Sequence, residues 1–121
     1  MISEDILKIA ANALNNKKAK DLKVLCVGEL TSLAEYFILA TATSSTHVRA
    51  LTDEVLQKLD EQGAKIHHTE GKSTGWNVLD YGSVIINIFT ASEREFYDLD
   101  RMWSDAESID LSKILTESTE E

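Results

Sequence analysis

The 121-residue chain reads as an α/β domain, a mixed β-sheet of about five strands flanked by helices. Three observations predict this class. Apolar residues recur at helical spacing in three separate stretches, and between them lie short β-rich runs bounded by turn residues. One of those runs, Tyr36-Phe37-Ile38-Leu39-Ala40, is almost continuously apolar, as a central strand buried on both faces must be. No internal repeat or linker interrupts the pattern. Residues 1–106 therefore read as a single domain and 107–121 as an acidic, flexible C-terminal tail.

Taken in order, Ser3 is placed as the N-cap of a first helix, with Glu4 and Asp5 in its first turn and Ile2, Ile6, Ile9, Ala10 and Ala13 on one side. That helix ends near Asn15-Asn16. Strands from Asp21 to Val27 and from Tyr36 to Ala42 follow, joined by a loop over Gly28 to Leu33. Residues Thr41 to Ser45 offer N-caps for a long helix whose stripe is Val48, Leu51, Val55, Leu56 and Leu59, and Gly63 closes it. The pattern then predicts a short strand Ala64 to Thr69, a polar loop Glu70 to Gly75, and a hairpin with strands Trp76 to Asp80 and Val84 to Thr90. Ser92 and Glu95 have the capping-box spacing for a last helix, on which Phe96, Leu99 and Trp103 share a face. Beyond Asp105 the pattern thins. The small apolar cluster Ile109, Leu111, Ile114 and Leu115 is expected in a frayed or disordered tail with at most one helical turn.

No apolar run approaches the ~18 residues of a membrane span, and the acidic start resembles neither a signal nor a transit peptide, which predicts a cytoplasmic protein. The single cysteine, Cys26, lies in an apolar run and is expected as a buried strand thiol. A formal charge of -9 repels phosphate backbones and favours a protein partner over direct nucleic-acid binding. The acidity belongs to the C-terminal segment: residues 93–121 hold ten acids against three bases, whereas 1–92 are nearly balanced.

The motifs that carry chemistry are incomplete. His67 and His68 are adjacent on a strand and point to opposite faces, so they cannot close on one metal ion. Gly71-Lys72-Ser73-Thr74-Gly75 looks like the end of a phosphate-binding loop but lacks the full spacing and precedes a strand rather than a helix. A two-metal transferase needs two carboxylates at alternate strand positions. Asp98-Leu99-Asp100 lies on a helix, and Asp80 has Val78 and Gly82 as its alternate neighbours. Asp80 is read as an acceptor of backbone hydrogen bonds across its turn. No catalytic residue, cofactor or metal is assigned. The rival enzyme reading needs Asp80 joined by Glu70 or Asp98, and a third reading is a homodimer formed through an uncovered sheet edge.

Six of the eight aromatic residues fall between Trp76 and Trp103. Phe89, Phe96 and Trp103 are expected in the core, while Trp76 and Tyr81 fit either a core or an interface.

Two stretches, Glu35 to Val55 and Glu70 to Ala106, closely resemble the Iojap-related ribosomal silencing factors of bacteria. The most specific parts are Asp80-Tyr81-Gly82 and Arg94-Glu95-Phe96-Tyr97-Asp98-Leu99 through Trp103. Small departures are Ala42 where a glycine is common, Asn77-Val78 where the family varies, and Asn87 where a histidine is usual. The resemblance implies a nucleotidyltransferase-like fold without transferase activity. It also implies docking on large-subunit ribosomal protein fourteen (uL-fourteen), obstruction of subunit joining, and repression of translation under nutrient limitation or in stationary phase. On that basis Trp76, Leu79, Asp80 and Tyr81 are the expected docking residues, Gly75 and Gly82 shape the bend, and Arg94, Phe96 and Tyr97 lie nearby.

Overall fold

The computed structural model describes residues 2–73 and 75–116. Its elements run α1 (Ser3–Asn16), β1 (Lys20–Cys26), β2 (Tyr36–Ala42), α2 (Ser45–Glu61), β3 (His68–Ser73), β4 (Trp76–Asp80), β5 (Val84–Thr90), α3 (Ala91–Tyr97), α4 (Leu99–Met102) and β6 (Glu107–Ser108), followed by a 3-10 turn, Leu111–Lys113. The strands form one six-stranded mixed sheet in the order β3-β4-β5-β2-β1-β6. Among these strands β2 and β5 are the parallel pair, in register from Tyr36↔Val84 to Ala42↔Thr90. The nearly all-apolar β2 lies in the middle, and all its residues but Tyr36 are buried.

Alternation on each strand divides the core. Val24, Ile38, Ala40, Leu79, Ile86 and Ile88 face α1 and α2 in the larger cluster. Leu25, Phe37, Leu39 and Phe89 face the other way, against Trp76, Trp103 and Ala106. The α3–α4 segment crosses this second face, with α3 packed on β5 and β2.

Several local expectations shift, each for a physical reason. Ser3 is the first helical residue rather than the cap: Ile2 stands at the N-cap, and the Ser3 hydroxyl instead donates to Glu35 Oε1 at 2.6 Å. Ser44 caps α2, accepting from the His47 amide, and Gly63 closes that helix at φ +88°. Strand β3 spans His68–Ser73 rather than Ala64 to Thr69, so most of the expected polar loop is strand. An edge strand pairs on one side only and needs no apolar alternation, while Ala64 and Ile66 supply an apolar signal by packing against the helical layer from a connecting segment. Cys26, expected buried, is half-buried at the end of β1, where it pairs with Tyr36 and Glu107.

The cap of α3 is Thr90, which accepts from the Glu93 amide, two residues before the expected Ser92–Glu95 box. Helix α3 stops at Tyr97 because Asp98 turns left-handed at φ +51°. That break resets the helical phase, so Phe96 and Trp103 do not share a face: Trp103 packs edge-on to Phe37 at 4.8 Å, and Phe96 is exposed.

The expected tail is also revised. Residues 107–116 form a belt rather than a frayed end. Glu107–Ser108 pairs with β1, Ile114 is buried, and Asn12 accepts from both the amide and the hydroxyl of Thr116 while donating to the Ile114 carbonyl. Its four apolar residues were the signal, since a sparse cluster suffices to anchor a strap on an existing core. Residues 117–121 lie outside the described residues.

Candidate functional site

The hairpin around Asp80 is built as its residues demand. The Asp80 carboxylate accepts from the Gly82 amide at 2.7 Å, an Asx-type turn, and the Tyr81 amide donates to the Val84 carbonyl. Gly82 sits at φ +87°, and a Cβ there would lie 2.8 Å from His67 Cε1. Both strain and collision oppose a side chain. Gly82→Ala is expected to cost about 1–2 kcal/mol, read as a lowered urea midpoint; an unchanged midpoint would remove the turn's importance. Gly75 is a close approach of another kind, its Cα facing Thr90 Oγ1 and Glu93 Cγ at the start of α3. Its carbonyl accepts from the Thr90 amide, tying the hairpin to that helix.

Alternation along β4 separates the residues expected to dock together. Asn77, Leu79 and Tyr81 face the helical layer: Leu79 is fully buried and Tyr81 is only 5% exposed. Burial, with the nearby Asp60 carboxylate, pushes the Tyr81 hydroxyl up to about 12. Both side chains are covered within this chain, so of the residues expected to dock, Leu79 and Tyr81 do not share an exposed face with Trp76.

Trp76 lies on the opposite face, half-buried against Phe89, its ring centroid 4.6 Å from that of Tyr97. Its indole N–H donates to the buried Asn87 Oδ1 at 3.1 Å, so Asn87 serves as an internal acceptor. From Tyr97 the stack continues to Phe96, edge-on at 4.9 Å. Exposure rises along this ridge, reaching 46% at Tyr97 and 79% at Phe96. An aromatic run anchored in the core and ending in solvent has the composition of an interface hot spot.

Arg94, also expected near the docking surface, is 8% exposed and fully engaged inside. Its Nη1 donates to the Asp21 carbonyl and to Thr41 Oγ1, while Nε and Nη2 fork onto both oxygens of Asp100 at 2.9 Å. Lys23 meets the same carboxylate at 3.1 Å. The Arg94 bonds, reinforced by Lys23, hold the Asp100 carboxyl far below the usual carboxylate range. Arg94 thus fixes α3 and α4 to β1 and β2 beneath the ridge. Its guanidinium also lies 5.5 Å from the Phe89 ring centroid.

Sequence reasoning placed Phe96 in the core because it carried the helical phase through Asp98. The aspartate itself was the available signal, being one of the few residues that tolerate the left-handed region. Met102, exposed on α4, was not singled out at all. Among the described residues, no three histidine, cysteine, aspartate or glutamate side chains converge as a metal site. Among the described residues no helix is long and apolar enough to cross a membrane.

Comparison with known proteins adds the family. The family model described as "Ribosomal silencing factor during starvation" matches residues 2–121, a span that includes the belt. A Bacillus subtilis protein named ribosomal silencing factor RsfS is 34% identical over 112 residues, covering 92% of this chain and 95% of that one. The chloroplastic protein Iojap of Zea mays is 33% identical over 101 residues, covering 84% of this chain and 44% of that protein. A crystal structure of a Chromobacterium violaceum protein superposes with a TM-score of 0.82 at 36% identity, covering 86% of this chain and 88% of that one. The family match over residues 2–121, the related sequences and the shared fold agree: this chain belongs to the ribosomal silencing factor family.

Proposed function

We propose that this protein binds the large ribosomal subunit through large-subunit protein fourteen (uL-fourteen), prevents the small subunit from joining, and so represses translation when nutrients are scarce. The observation that carries the reading is the Trp76–Tyr97–Phe96 ridge, an exposed aromatic surface packed at its base on Phe89, in a member of this family. Charge supports it as well. A chain of net charge -9 is attracted to a basic ribosomal protein, which speeds encounter and rejects acidic partners, while the ridge supplies affinity. Within this reading the docking residues are Trp76, Tyr97 and Phe96, with Asp80, Gly75 and Gly82 holding the hairpin and Arg94 holding α3. It is a binding activity exercised in the cytoplasm, without catalysis or cofactor.

The direct test mixes purified small and large subunits with increasing protein and separates the products by sedimentation. Joined ribosomes should decline as the protein saturates the large subunit. Undiminished joining at saturation would defeat the proposal.

A further inference from the structure

The net charge conceals a basic corner. Four of the twelve Lys and Arg residues lie within Lys17 to Lys23, and of these Lys17, Lys18 and Lys20 are exposed. Lys23 is committed to Asp100, but among the described residues the other three enter no ion pair. Three like charges within four residues, none of them in an ion pair among the described residues, favour an anionic ligand.

Their position is fixed. Lys18 takes a left-handed turn at φ +68° directly after α1. His47, in the first turn of α2, locks that turn in place: its Nε2 donates to the Lys17 carbonyl at 2.8 Å while Nδ1 accepts from the Thr43 amide at 2.9 Å. Lys20 lines an open cleft of about 550 Å³ with Thr43, Thr90 and Ser92. This cleft lies at the carboxyl ends of β2 and β5, the parallel pair, where open α/β sheets receive ligands. The first turn of α2 carries no acid. Asp21 is the one carboxylate on the cleft wall; Glu93 stands in the first turn of α3, and Glu95, Asp98 and Asp100 lie further along.

We propose that Lys17, Lys18 and Lys20, with the hydroxyls of Thr43, Thr90 and Ser92, form a contact surface for an RNA phosphate backbone. Several unpaired lysines along an exposed turn suit a chain of phosphates better than one small ligand, and hydroxyl donors add positioning without reading sequence. The surface shares α3 with the aromatic ridge: Thr90 and Ser92 begin that helix and Phe96 and Tyr97 end it. The protein would then hold the large subunit at two places, protein through the ridge and RNA through the lysines. This rests on the proposed docking to the large subunit.

The test titrates labelled protein against purified large subunits at salt from about 50 to 300 mM. The triple variant K17Q/K18Q/K20Q should bind about tenfold more weakly at the lowest salt. Its dependence of log K on log salt should be shallower by about one unit for each phosphate that the lysines no longer neutralise. Phe96→Ala should weaken binding with the slope unchanged. A short RNA duplex added as competitor should lower wild-type affinity toward that of the lysine variant, whereas polyglutamate and ATP should not. A triple variant that binds with wild-type affinity and slope would overturn the RNA contact alone, and competition by polyglutamate in place of RNA would reassign the corner to an acidic protein. Absence of any wild-type binding would defeat both this proposal and the docking it rests on.

Discussion

Replacing Arg94 with leucine is expected to destabilise the fold by about 2 kcal/mol or more: removing one partner of a fully buried ion pair costs about 3–5 kcal/mol, and the 35% exposure of the Asp100 side chain discounts that figure. Four donated bonds vanish at once, to the Asp21 carbonyl, Thr41 Oγ1 and both Asp100 oxygens. Asp21 is itself in an unusual backbone region at φ +45°, within an irregularity of the β1–β2 pairing, and its carbonyl would lose the Arg94 bond. Lysine cannot reproduce a forked donor, so Arg94→Lys should recover only part of the loss. Urea unfolding measures both; a midpoint shift in Arg94→Leu worth less than about 1 kcal/mol would mean that the knot is not what holds α3 and α4.

The same knot sets an acid dependence. The Asp100 carboxyl is depressed in the folded chain, so its contribution to stability is full above the ordinary carboxylate pKa of about 4 and is lost as pH falls toward the folded value. Wild-type stability should therefore decline below about pH 4, and the Arg94→Leu variant, having lost the main cause of the depression, should decline less steeply. Equal slopes in the two proteins would separate Asp100 from the acid response.

Phe96→Ala is expected to weaken binding to the large subunit about thirtyfold, the size of one hot-spot truncation of roughly 2 kcal/mol. The fold should be unaffected within about 0.5 kcal/mol, because the ring is already in solvent. Tyr97→Ala should act in the same direction. Tyr81→Ala should behave oppositely, losing stability first and binding only as a consequence, since its ring belongs to the helix-side core. Affinity measured alongside unfolding separates these outcomes. A folded Phe96→Ala and a folded Tyr97→Ala that both bind normally would move the docking surface away from the ridge.

Much of the architecture was legible because it follows from local patterning. Tyr36 to Ala42, Trp76 to Asp80 and Val84 to Thr90 were bounded correctly by their apolar content and turn residues, and Gly63 closed α2 as a left-handed residue should. The misplaced elements are those whose stability is not local. Strand β3 exists through its ladder to β4, and β6 through two residues against the β1 edge. The site was half legible for the same reason. The alternation rule already put Trp76 and Tyr81 on opposite faces, but which face a helix would cover is a matter of packing.

The residues of this chain alone determined the α/β class, the central place of β2, the Asp80 turn and the membership signalled by Asp80-Tyr81-Gly82 and the Arg94 to Trp103 stretch. Each of these depends on neighbours a few residues apart or on the side chain's own chemistry. Tertiary structure decided that Tyr81 and Leu79 are core, that Arg94 is an internal clamp, that Phe96 ends an exposed ridge, and that Lys20 lines a cleft with Thr43, Thr90 and Ser92. Those outcomes depend on which distant segments meet: a left-handed Asp98, a histidine bridging two helices and a sheet with unequal faces arrange in space what composition reports only as a sum.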